Sequence, residues 1–93
     1  MLNNIKSHKE FAQYVFRRMS VERGIELISS LPLLPEHKKV IIDVDIYKKP
    51  QKQIAYDEHR DVKTISRRYN KALEMSAAPL TAYISSLLDR PGK

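Results

Sequence analysis

Apolar residues recur at three- and four-residue spacing through most of this 93-residue chain. That is the period of a helix packing one face, whereas the strict alternation of a half-buried strand is scarce. Phe11, Ala12, Val15, Phe16 and Met19 share one such face. Ser7 and Glu10 stand just before and within it as an S-x-x-E capping box, in which hydroxyl and carboxylate satisfy backbone amides that the first turn leaves without partners, so a helix is expected to start there. Val21, Ile25, Leu27 and Ile28 carry the pattern on, either as a second short helix or as a bent extension past Gly24. Residues 7–30 therefore read as N-terminal helices. "SSLPLLPEH" ends them, because proline disfavours helical geometry at the residue before it.

Pro35 suits the first turn of a third helix, where its missing N–H costs nothing and Glu36 meets the positive end of the helix dipole. Val40, Ile41, Val44 and Tyr47 are expected on its core face. "VIIDV" has the β-branched content of a strand, but no hairpin partner lies nearby, so a helix is the better reading. Pro50 restarts the chain for a fourth helix holding Ile54 and Ala55. Asp61 is placed as the N-cap of a fifth. Pro79 is expected to open a sixth, residues 79–90, with Leu80, Tyr83, Ile84, Leu87 and Leu88 on its apolar side and Pro91-Gly92 beyond its end. With only two glycines, no internal repeat and no low-complexity segment, the expectation is an all-α fold: one domain, 1–93, a small bundle of five to six helices.

Charge adds a location. Between Lys48 and Lys71 the chain carries eight cations (Lys48, Lys49, Lys52, Arg60, Lys63, Arg67, Arg68, Lys71) against three anions, while the remainder holds nine against eight. A concentrated basic stripe on a small domain favours a polyanionic partner, since each phosphate it neutralises releases a condensed counterion. The absence of cysteine removes disulfides, thiolate metal sites and cysteine nucleophiles. No signal-like N-terminal run and no stretch near the roughly 20 apolar residues of a membrane span occur, so a cytoplasmic protein with no membrane association is expected.

The stripe is most ordered in "VKTISRRYNKAL", Val62 to Leu73. On a helix turning about 100° per residue, Val62, Ile65, Tyr69, Ala72 and Leu73 share an arc of about 100°, and the four cations spread over about 140° of the other side. A short helix, a tight connection and a second helix with cations on its open face is the helix-turn-helix arrangement, which places its second helix in the DNA major groove. The run "LPEHKKVIIDVDIYKKPQKQIAYDEHRDVKTISRRYNKALEM", Leu34 to Met75, resembles the fourth conserved region of bacterial sigma factors and the small regulators built on it. The family's "K-E-I-A" followed by "V-x-T-V-K-R-R-L-x-R-A-L" is matched by "KQIA" at Lys52 to Ala55 and then Val62, Thr64, Ile65, Arg67, Arg68, Tyr69, Lys71, Ala72 and Leu73, without a gap. At the turn the family has Leu-Gly-Ile and this chain has Glu58-His59-Arg60. Glycine there permits positive φ, so His59 either enters the left-handed region or the turn is altered or lengthened by a residue.

The resemblance implies a helix-turn-helix over 35–76 in a double-stranded DNA-binding transcription regulator, of phage or mobile-element type. A complete sigma factor is not expected, since its other regions need far more chain than the residues before Leu34. Carried over by position, Lys63, Thr64, Ser66, Arg67 and Val62 face the bases, and Arg68, Asn70 and Lys71 lie nearer the phosphates. Lys48, Lys49 and Lys52 meet the flanking backbone. The residue types suit these roles: arginine forks onto guanine O6 and N7, threonine touches a thymine methyl, and lysine supplies a mobile charge for phosphate. The alternative is a module that docks on RNA polymerase or another regulator without reading DNA. A homodimer through the C-terminal helix is a further expectation, weighed against Leu80, Ile84 and Leu87 simply covering the monomer's core.

Other chemistry finds little purchase. Tyr47, Tyr56 and Tyr69 are candidate stacking platforms for single strands, but Tyr69 falls on the apolar arc. Asp43 and Asp45 imitate the start of a calcium loop whose required glycine and closing glutamate are Lys48 and Ile54 here. His8, His37 and His59 lack paired ligand spacing. No assembled nucleophile and no glycine-rich phosphate loop occur, so no enzyme, cofactor or metal is expected.

Overall fold

The computed structural model describes residues 8–88. Among them are five helices and no strand: α1 (His8–Arg17), α2 (Val21–Ser30), α3 (Pro35–Ile41), α4 (Gln51–Asp57) and α5 (Val62–Leu88). The Ser7 side of the capping box and the Pro91-Gly92 stop lie outside the described residues. α5 is the axis of the molecule, with α1, α3 and α4 packed directly on it. Phe16, Ile28, Ile41, Ile54, Ile65 and Leu80 are fully buried where these helices meet.

Local chemistry sets the boundaries. Ser20 caps α2, its hydroxyl accepting from the Arg23 amide at 3.3 Å, so the break between the first two helices falls at residues 18–20 and not at Gly24. α2 runs straight through Gly24, which is buried with the Ile46 side chain lying over it. A β-carbon at that position would collide with Ile46, and this close approach is what the glycine provides. Val21, expected on the core face, is about half exposed.

α3 begins at Pro35 as its chemistry requires. Past Ile41 it widens into a π-helical turn, Ile42–Ile46, closed by the Tyr47 amide on the Ile42 carbonyl at 2.9 Å. The extra residue in that turn changes which side chains face inward. Asp43, Val44, Asp45 and Ile46 are all buried, and Tyr47 is turned outward, 53% exposed, against the expectation that it would line the core.

The second departure concerns Pro79. It lies inside α5 and does not open a sixth helix. Proline removes one backbone hydrogen bond, here toward Met75 four residues earlier, and crowds that carbonyl. The helix continues because Leu73, Ala77 and Leu80 are buried and Ile84 packs on the same cluster, a stripe that only uninterrupted helical phase produces. Of the residues expected on the sixth helix, Tyr83 and Leu87 remain about half exposed and Leu88 is 80% exposed.

Candidate nucleic-acid interface

The connection between α4 and α5 is a four-residue turn whose backbone bonds are fully specified. The Arg60 amide donates to the Ala55 carbonyl at 2.9 Å and the His59 amide to the Tyr56 carbonyl at 3.2 Å, the paired bonds of a Schellman termination. His59 supplies the left-handed residue such a termination needs, at φ 57°. The turn is therefore made without glycine and without an added residue. Asp61 then caps α5, its Oδ1 accepting from the Thr64 amide at 2.8 Å. That hydrogen bond holds the Asp61 carboxyl below its ordinary value.

Behind the turn, α5 divides as its sequence pattern implies. Ile65, Tyr69, Ala72 and Leu73 are buried, while Lys63, Arg67, Asn70 and Lys71 are exposed. Arg67 forms no hydrogen bond or ion pair with any described residue, although its charge reaches Asp61. Thr64 and Ser66 are half-buried at the edge of the face. The Asn70 amide nitrogen folds back onto the Ser66 carbonyl at 2.9 Å, leaving its oxygen outward. Val62 is 42% exposed, and Lys52 on α4 is exposed.

Of three cations grouped with these by sequence, Arg68 is held by the protein instead, and Lys48 and Lys49 are engaged in part. Arg68 Nη1 donates to Glu58 Oε1 at 3.0 Å, and its side chain is only 18% exposed. Lys39 reaches the other Glu58 oxygen at 3.2 Å and Asp43 at 2.8 Å, so one chain of ion pairs ties α3, the turn and α5 together. Desolvation pushes the Glu58 carboxyl up, but the bonds from Lys39 and Arg68 outweigh it and its pKa falls below the ordinary value. The bond to Asp43 raises the Lys39 ammonium in the same network. Arg68 thus fastens the turn to α5 and does not present its charge to a ligand. Lys48, at φ 58°, donates to the carbonyls of Arg17 and Asp45, each at 2.8 Å, which fixes a backbone conformation unusual for a residue with a side chain. Lys49 Nζ lies 3.7 Å from Asp57.

Comparison with protein-family models, curated proteins and solved structures finds no match to this chain. The site therefore rests on its own geometry.

Beneath the open face of α5 lies a polar cluster that sequence reading missed. Asp45 is fully buried, and its Oδ1 accepts from the Tyr69 hydroxyl at 2.6 Å and from Arg17 Nε at 3.0 Å. Gln13 Nε2 donates to the Tyr69 oxygen at 2.8 Å, and Oδ2 of Asp45 has no hydrogen-bond partner in the protein. Burial raises the Asp45 carboxyl above its ordinary value although both donors pull it down. Tyr69 is raised by burial and by its bond to Asp45. Desolvation lowers Arg17, the bond to Asp45 more than offsets it, and the net shift is upward. The hydroxyl-to-carboxylate bond is charge-assisted and short, and it sets the rotation of α5 against α1 and the π turn. Asp45 follows Ile41 by four residues and Val44 by one, so its place on the inner side could be found from helical spacing. Arg17 carried no such signal.

No group of three or more metal-binding side chains occurs among the described residues, and none of the described helices is long and apolar enough to cross a membrane.

Proposed function

We propose that this protein is a sequence-specific transcription regulator that binds duplex DNA in the cytoplasm, with the first half of α5 entering the major groove. The observation that carries this reading is the exposed row of Lys63, Arg67, Asn70 and Lys71 on a helix whose opposite side is locked into the core. Its long cations have their heads in solvent, and the capped start of α5 follows a tight turn from α4, as a groove-reading helix requires. The sigma-region-four-like spacing of "KQIA" and "RRYNKAL" supports the same assignment. Within it, Arg67 and Lys63 face the bases, Lys71 meets phosphate, and Thr64 and Ser66 make shorter contacts at the edge. Arg68 is structural.

Duplexes selected from a random pool, followed by binding measured against salt, test the proposal. Each phosphate contact should contribute about 0.9 to the logarithmic salt slope, and a selected duplex should be preferred over a scrambled one. Arg67→Ala should cost roughly 1 to 3 kcal/mol on the selected duplex and little on the scrambled one, whereas Lys71→Ala should weaken both about equally. Equal losses in both variants on both duplexes would remove the base-reading role of Arg67. A domain that docks only on RNA polymerase or another regulator would select no duplex at all.

A further inference from the structure

We infer that the cleft between the end of α1 and the start of α4 seats one phosphodiester group of the bound duplex, held by Arg17, Lys48 and Lys49; this rests on the DNA-binding reading above. The cleft is shallow and open to solvent, with a volume of about 400 Å³, and is lined by Arg17, Val44, Lys48, Lys49, Pro50 and Gln51. That is room for a phosphate with its adjoining sugar. Three of the six lining side chains are cations and none is acidic. They come from chain segments about 30 residues apart, so the cluster is a product of the fold.

The donors are partly committed and partly available, which fixes their positions while leaving something to offer. Arg17 uses Nε on Asp45 Oδ1 and also interacts with Tyr69, so its guanidinium is engaged along its buried side. Its side chain is 48% exposed. Lys48 places two of its three ammonium donors on the Arg17 and Asp45 carbonyls, and one remains. Lys49 is held only by Asp57 at 3.7 Å, a surface pair of the kind worth little in water. Two acids, Asp45 and Asp57, stand beside these three cations and leave a surplus of one positive charge. An arginine edge and a lysine head held in place suit an anionic oxygen group better than mobile surface lysines do, because less side-chain freedom is lost when it binds. Val44 and Pro50 supply apolar wall for a sugar.

Two variants leave the buried network alone. Lys49→Gln removes a charge from the cleft, and Gln51→Glu adds an opposing one in the first turn of α4, where the helix dipole favours it. Melting temperatures should therefore match the parent. On the selected duplex, Lys49→Gln should lower the salt slope by about 0.9, and Gln51→Glu should weaken binding several-fold at low salt. Binding by the parent with slope and affinity unchanged in both variants overturns the phosphate seat and leaves the DNA reading standing. Failure of the parent to bind any duplex at low salt overturns both. Amide shifts of Lys48, Lys49 and Gln51 identify the source of the anion. Movement on adding duplex is expected, and saturation by inorganic phosphate with no response to duplex overturns the assignment.

Discussion

Removing only the hydroxyl of Tyr69 leaves the ring volume in the core and takes one charge-assisted donor from a buried carboxylate. Tyr69→Phe is therefore expected to lower unfolding stability by about 1 to 3 kcal/mol in urea denaturation, and to raise the Asp45 pKa further because a stabilising partner of its charged form is gone. Two carboxylates of the structural networks respond to pH with opposite sign. Glu58 titrates below its ordinary value in the folded protein, so the stability it contributes is present above that value and lost as pH falls through the folded pKa. Asp45 titrates above its ordinary value, so its contribution is present at acid pH and lost as pH rises through the folded pKa. Glu58→Gln should cost about 0.5 to 1 kcal/mol at neutral pH. Melts repeated toward pH 3 should show that difference closing; a constant gap across the range would mean that Glu58 acts by packing alone.

Elements built from close packing make sharper demands. Gly24→Ala improves local helix propensity by about 1 kcal/mol but drives a methyl into Ile46, for which overpacking costs typically 1 to 3 kcal/mol. The substitution should be neutral to destabilising, and pairing it with Ile46→Val should recover part of the loss. Pro79→Ala restores an N–H within α5 and should raise stability by about 1 to 3 kcal/mol, read as a higher melting temperature. The helical class, the Pro35 and Asp61 starts and the inward face of Ile65, Tyr69, Ala72 and Leu73 were legible in the chain, because periodicity and capping are local physics. Three features were not. The π turn depends on how Asp45 and Ile46 find partners across the core. Continuity through Pro79 depends on Leu73, Ala77 and Leu80 being buried in one stripe, which overrides the proline's own preference. Arg68 looked like Lys71 on a helical wheel, and only the position of Glu58 in the folded turn separates them. Within the candidate site, residue type and outward placement were readable for Lys63, Arg67 and Lys71, while the commitments of Arg68, Lys48 and Arg17 depend on contacts between distant segments.

At the scale of the whole molecule, α5 is a rod about 40 Å long in a body measuring 50 × 27 × 20 Å. Its two ends differ in character: charges crowd the first half, and from Met75 to Leu88 there is no charged residue. Because one uninterrupted helix carries both, their relative orientation is a matter of counting. Arg67 and Leu87 are 20 positions apart, which places them about 30 Å from each other along the axis and about 160° apart around it for ideal geometry. Anything gripping Leu87 would thus sit on nearly the opposite azimuth from a duplex held at Arg67. A single alanine inserted just after Ile84, beyond the last residue of α5 packed on the core, would swing that companion by about 100°.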